Sequence, residues 1–399
     1  MPKTIYLDSN DFSDLSKPDH SLGEDDKRVL DALRAARVSG QAVFYISPIH
    51  ISEAVHASQA YKEAAVRRAA LMSELAGDNL LRFPTEICKL ELERALAGQD
   101  NPSCSLSQIA SGPGEWFGVT PAGDLDDRRK EIREMVDRAL RFLSREERRR
   151  QKSRLDPAKK SSHPLIRSMF KDGIQKSPSI PISILDPELV LEWYLGNVTD
   201  DDFRSNSLRL AKDPLILFRH LIDELGHRQK LYDFLRDQGL KWKALIESGM
   251  NEMAPIFADA EKNGLPIDLN SVISKITSPS FWQTIVGALA EKDLTAITVD
   301  DIIMMKDASP STAIFTHALI ESIHVRLQST RSRAIAGNLV PADVKLSDYG
   351  DFMHSIYAPY FDVFRCDSSF SAVLKRHPTV RSRVVGKRRE LLPLLDPAG

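Results

Sequence analysis

Residues 4–15 read TIYLDSNDFSDL. Thr4 to Leu7 have strand-forming character and run straight into Asp8. The polar stretch that follows has the composition of a helix start, with Asp, Ser and Asn side chains ready to accept orphan backbone N–H groups. An apolar strand that ends on an acid and turns at once into a helix is how an α/β unit opens. Working outward, Glu24 to Val38 place Val29, Leu30, Leu33 and Ala36 at helical spacing. Gly40 then stands where a helix C-terminus favours a left-handed residue. AVFYIS, residues 42–47, is a second strand, and a helical pattern runs from Ile49 towards Leu75. Strand, helix, strand, helix at these lengths predicts parallel strands.

The chain closes in the same style. The pattern predicts a helix over 348–360, a strand at DVFRC (362–366), a short helix over 368–375 and a last strand at RSRVV (381–385). Between the two ends lie amphipathic helical stretches, interrupted at SGPGEW (111–116), SPSIPISILDP (177–187) and SPSFW (278–282). The expected fold is α/β: a central parallel sheet flanked by helices, formed by residues 1–84 and 310–399, and interrupted by a mostly helical insertion or subdomain at 85–309.

With 399 residues, 42% apolar and 28% charged, the chain has the composition of a globular protein, and its net charge of −2 supplies no global basic field. Nucleic-acid binding would then depend on a local patch. The three cysteines include no CxxC pair, so neither a disulfide framework nor a zinc site follows. No apolar leader and no 18-residue apolar run are present, so a cytoplasmic location without a membrane span is expected.

Parallel strands present ligand-binding groups just beyond their carboxyl ends. Asp8 and Asp367 end predicted strands. Glu53 lies six residues past FYIS, in the first turns of the next helix. Asp351 lies on the helix before DVFRC, with Asp348 and His354 one turn to either side on the same face. Like charges that close raise one another's pKa, and a divalent cation relieves the conflict. Hard oxygen ligands select Mg²⁺ or Mn²⁺, ions that promote in-line displacement at phosphorus.

Here the residues resemble a known family. IYLDSNDFSDL (5–15), YISPIHISEAV (45–55) and SDYGDFMHSIYAPYFDVFRCDSSF (347–370) are similar to the acid-bearing segments of PIN-like nucleases. The C-terminal piece resembles the branch with an Asp-x-x-His-x-x-Tyr-x-Pro-Tyr helix before the last acid. The resemblance places the four catalytic, metal-holding acids on Asp8, Glu53, Asp351 and Asp367, with Ser9, Asn10 and Asp348 in support. Asp348 competes with Asp351, and the spacing to His354 and Tyr357 favours Asp351. Many members carry Thr or Ser two residues before the last acid, where this chain has Arg365.

The resemblance implies a Mg²⁺- or Mn²⁺-dependent endoribonuclease leaving 5′-phosphate and 3′-hydroxyl ends, with RNA favoured over DNA. Toxins, defence nucleases and RNA-turnover enzymes fall within such a family. The helical part would serve as a lid or as a surface for a protein partner or inhibitor. Two alternatives stay open: a catalytically inactive PIN-like module that binds RNA or protein, and a structure-specific DNA nuclease. Substrate sequence and oligomeric state are not legible.

Two basic runs offer phosphate contacts. Arg148, Arg149, Arg150 and Lys152 lie in SREERRRQKSRLDPAKK (144–160), and Arg381, Arg383, Lys387 and Arg388 lie in RSRVVGKRR (381–389). Either run reads equally as a solvated surface. Asp11 and Asp14 are expected to face solvent or support the first turn, and Asp362 to be structural. His317, Glu321 and His324 share a helical face that reads as packing rather than metal ligation.

Overall fold

The computed structural model describes residues 2–54, 59–98, 102–110, 125–126, 129–130, 133–134, 144–157, 159–173, 187–211, 225–290, 298, 300, 303–304, 308–340, 343–345 and 347–395. The chain divides into two compact units, one of residues 1–111 and 226–399, the other of 112–225.

The first unit holds a four-stranded, all-parallel sheet. Its strands are β1 (Lys3–Tyr6), β2 (Ala42–Tyr45), β3 (Val363–Arg365) and β4 (Val384–Val385), in the order β2-β1-β3-β4. Registers run from Lys3 opposite Ala42, from Ile5 opposite Val363 and from Phe364 opposite Val384. Ile5, Tyr6, Val363 and Phe364 are all buried, as expected of parallel strands covered on both faces. Around the sheet stand α1 (Ser9–Leu15), α2 (Glu24–Val38), α3 (Pro48–Ala54), α4 (Lys62–Ala76) and α5 (Pro84–Leu96). From the later chain come α6 (Leu225–Lys262), α7 (Leu269–Ile276), α8 (Pro279–Ala290), α9 (Pro310–Ile335), α10 (Asp348–Ser355) and α11 (Ser368–Leu374).

The helical segment expected at 85–309 is therefore divided. Helix α8 packs on α5, and both α5 and α7 pack on α9. Ile87, Leu92, Ile273, Val286, Phe315 and Leu319 share one core with Tyr6, Phe352 and Phe364. That common burial is why residues 84–111 and 226–309 belong with the sheet and only 112–225 form the second unit. There, Trp193 stacks on Phe203 with ring centroids 4.4 Å apart, and its Nε1 donates to Asp200 at 2.8 Å.

Several elements are shorter than their patterns predict. Helix α10 stops at Ser355 and a 3₁₀ turn spans Ala358–Tyr360, because Pro359 lacks a donor and disfavours helix at the residue before it. DVFRC contributes only three ladder residues; Asp362 instead accepts from the Thr4 backbone N–H and hydroxyl, each at 2.9 Å. Arg383 N–H closes a turn onto Val380 O, so the last strand starts at Val384. The pattern over 49–75 forms α3 and α4 as separate helices, and residues 55–58 lie outside the described part. Gly40 takes the left-handed conformation after α2, at φ 71°.

No described helix is long and apolar enough to cross a membrane. Cys88, Cys104 and Cys366 are free and buried.

Candidate functional site

In the order β2-β1-β3-β4 the chain leaves β1 for one side of the sheet and returns to β3 on the other. The crevice beyond the carboxyl ends of β1 and β3 is thus the topological switch point, where open parallel sheets bind ligands. Asp8 and Asp367 sit there, each two residues past its strand. Each also caps the helix that follows. Asp8 Oδ1 accepts Asn10 N–H at 2.8 Å, and Asp367 Oδ1 accepts Phe370 N–H at 2.8 Å and the Ser369 hydroxyl at 2.7 Å.

Glu53 comes from the end of α3 and Asp351 from the first turn of α10. The Oε2 of Glu53 lies 3.0 Å from His354 Nε2. Its Oε1 lies so close to Gly350 that a Cβ at that position would collide with it. Asp348 takes another course: it pairs with Arg326 and accepts Lys345 N–H at 3.0 Å. Among the described residues Asp351 has no such cation.

The electrostatics follow this arrangement. Burial pushes the Asp351 carboxyl up to about 9, reinforced by the charges of Glu53, Asp8 and Asp367 and then Asp348. Burial likewise raises Asp8, against the opposing effects of His354 and the Asn10 N–H. Burial pushes Glu53 upward too, but the His354 imidazole and hydrogen bonds from His354 and Ser9 outweigh it and hold this acid low. Four acids from four elements thus act on one another. As placed, however, no three His, Cys, Asp or Glu side chains among the described residues converge closely enough to grip one ion. An all-oxygen donor set of this kind suits Mg²⁺, which is commonly held by one or two carboxylates and keeps several waters.

A cavity of about 430 Å³ opens beside Asp351, with Arg333, Arg376 and Ser369 on its polar wall and Phe352 and Phe370 on its apolar one.

No family model, curated protein or solved structure matches this chain. The site must be read from its own residues.

The supporting residues divide. Ser9 Oγ lies 3.2 Å from His354 Nε2, whereas the Asn10 side chain is exposed and only its backbone serves Asp8. Asp11 does not face solvent. It is fully buried, donates order to the first turn by accepting Asp8 N–H at 3.1 Å, and pairs with Arg365 at 3.0 Å and Arg388 at 3.2 Å. Arg388 also binds Asp14 and, at 2.6 Å, Asp26. Arg383 donates to Pro359 O at 2.6 Å. These two arginines are occupied inside the fold, while Arg381 and Lys387 are exposed. In the second unit Arg149 and Arg150 are exposed on helix Arg145–Arg154 and Arg148 is half-buried; the Lys152 side chain lies outside the described part. His317, Glu321 and His324 turn to Val373 O, Arg376 and Gln328 respectively, so that face is structural.

His50 is a residue the sequence reading missed. Its Nδ1 accepts Ser47 N–H at 2.9 Å and its Nε2 donates to Leu7 O at 2.8 Å, which ties α3 to the residue before Asp8. Burial pushes its pKa down to about 3, so it is a neutral strut. His50→Ala should cost about 2–4 kcal/mol in urea unfolding, because it opens a cavity and orphans two buried backbone groups. An unchanged midpoint would show that the strut is dispensable.

Proposed function

We propose that this chain is a PIN-like nuclease that hydrolyses phosphodiester bonds with Mg²⁺ or Mn²⁺, with RNA as its substrate. The observation that carries this reading is the buried Asp351 carboxyl at the switch point of a parallel sheet, pushed up to about 9 by burial and then by the nearby charges of Glu53, Asp8 and Asp367. A bound cation would relieve the cost of ionising a buried acid beside other carboxylates. Asp351, Asp8, Asp367 and Glu53 would hold the ion, directly or through waters. A bound ion would supply Lewis acidity for in-line displacement at phosphorus.

The chain's own groups do the rest. Asp8 and Asp367 are fixed by the N-termini they cap, so their orientation is set before any ligand arrives. Asp351 lines the cavity, whose volume suits a nucleotide. Arg333 and Arg376, the latter paired with Glu321, lie on its wall, and Phe352 and Phe370 give it an apolar face. The preference for RNA rests on the family resemblance.

The test is incubation of the protein with labelled single-stranded RNA and DNA in Mn²⁺, Mg²⁺ or EDTA, beside Asp8→Asn. Metal-dependent RNA cleavage should fall at least about 10²-fold in the variant. Full activity in Asp8→Asn would overturn the mechanism. Metal binding without cleavage of either polymer would favour a binding module, and cleavage confined to branched DNA a structure-specific DNA nuclease.

A further inference from the structure

Helix α10 carries more than an acid. Gly350 and His354 are one turn apart on one face of it, and both touch Glu53. Gly350 leaves the slot into which Glu53 Oε1 fits. His354 meets Oε2 at 3.0 Å and is itself buried. The same helix therefore supplies Asp351 and sets where the carboxylate of Glu53 stands beside it.

The direction of the hydrogen bonds behind His354 follows from counting donors. Ser47 N–H can only donate, and it faces His50 Nδ1 at 2.9 Å; that nitrogen must accept, and its one in-plane lone pair is used. The Ser47 hydroxyl, which also reaches the Tyr357 side chain, can donate to the Tyr6 oxygen at 2.8 Å. Tyr6 has one proton to give, and the atom facing it is His354 Nδ1 at 2.5 Å. An Nδ1 that accepts leaves the ring proton on Nε2, the atom that faces Glu53 Oε2 and Ser9 Oγ. All of Tyr6, Ser47 and His50 are buried, so water does not compete for these bonds. Tyr6 is further fixed by stacking between Phe364 and Tyr357, with ring centroids 5.1 and 5.2 Å away.

We propose that His354 is a positioning residue: it donates Nε2–H to Glu53, with Tyr6 behind its Nδ1, and with the slot at Gly350 holds that carboxylate in place beside Asp351. The role rests on the reading of these acids as the metal-holding set. Groups that orient a metal-holding side chain without touching the ion commonly change its affinity by 10–100-fold when removed. His354 is thus not a reacting group. Ser47–Tyr6–His354 is a buried line of hydrogen bonds from the core to the site.

The experiment has two readouts on the full chain. The first is Mn²⁺ affinity by water-proton relaxation. His354→Ala and Gly350→Ala should each weaken binding about 10–100-fold. His354→Gln, whose amide can present N–H to Glu53, should recover part of the loss, and Tyr6→Phe should fall between wild type and His354→Ala. Unchanged affinity in His354→Ala and Gly350→Ala, alongside loss in Asp351→Asn, overturns the proposal. The second readout is the ¹⁵N spectrum of the imidazoles in metal-free protein, with His354 assigned by its absence in His354→Gln. A proton on Nε2, the nitrogen that faces Glu53, is expected, and Tyr6→Phe should weaken the preference for it over Nδ1. A ring protonated on Nδ1 alone, with Nε2 bare towards Glu53, overturns the proposal. Failure of wild type to bind Mn²⁺ refutes the metal reading of the site instead, and the tautomer alone then decides whether His354 holds Glu53.

Discussion

Asp351→Asn is expected to abolish metal-dependent cleavage and to raise the melting temperature of the metal-free protein. The two effects have one cause. The folded-state pKa of Asp351 is raised to about 9, above its value of about 3.9 in an unfolded chain. The folded protein therefore holds this proton more tightly, so the carboxyl's contribution to stability is fully present below about pH 4 and is lost as pH rises towards 9. Asparagine keeps the shape and cannot ionise. The advantage of the variant should grow from pH 5 to pH 9 and reach about 1–3 kcal/mol, a figure kept well below the full shift because the side chain is not wholly buried. Millimolar Mg²⁺ should stabilise wild type and narrow the gap, since a ligand that binds only the folded state raises its stability by mass action. Asp348→Asn should show a smaller gain of the same sign: burial raises its carboxyl too, but Arg326 and the Lys345 N–H oppose the rise. Equal melting temperatures for wild type and Asp351→Asn across this pH range would remove the argument that burial and neighbouring charge oppose ionisation of Asp351.

How much of this could be read from the chain depends on the distance over which each interaction acts. Strands β1 and β2 and helix α2 were legible because their signals are local: TIYL, AVFYIS and the apolar spacing of Val29, Leu30, Leu33 and Ala36. The expected places of Asp8 and Asp367 follow from the same signals, since each simply ends a strand. Ladder length was less legible, because Asp362 and Arg381 to Arg383 are drawn out of the sheet by Thr4, Pro359 and a turn. The support of the site was hardly legible at all. His354 meets partners more than 300 positions away, at Glu53 and Tyr6, and nothing in DYGDFMHS shows which side of the ring carries the proton. Gly350 reads as a weak helix residue until Glu53 is placed against it. Arg388 reads as a substrate contact within a basic run, yet Asp11, Asp14 and Asp26 claim it from the other end of the chain. The DxxD spacing of Asp8 and Asp11 was the one local clue to that network, as an acid at the third helical position can close a capping box.

Arg365→Ala should be the most destabilising single change at the sheet's edge of the site, at about 3–5 kcal/mol near pH 8. Asp11 is fully buried, and the guanidinium of Arg365 is the larger of two cationic effects that hold its carboxyl down against burial. Even so, its pKa stands at about 7, so the two arginines do not repay desolvation in full. Because that value is raised above the unfolded one, the carboxyl's contribution is fully present below about pH 4 and lost as pH rises through 7. Without Arg365 the folded pKa climbs further and the loss deepens at alkaline pH. At pH 5 Asp11 is protonated in either protein, so the variant should lie closer to wild type there than at pH 8. Urea unfolding at the two pH values measures the difference. The double variant Asp11→Asn, Arg365→Met should recover much of the stability, as it removes the buried charge together with its partner. Equal losses at pH 5 and pH 8 would mean that Arg365 acts through packing, with its charge incidental. The position also bears on the site: Arg365 lowers the pKa of Asp8, so its removal should leave that acid more readily protonated. Arg365 thus serves the site from behind, pairing with the buried acid that closes the capping box of Asp8.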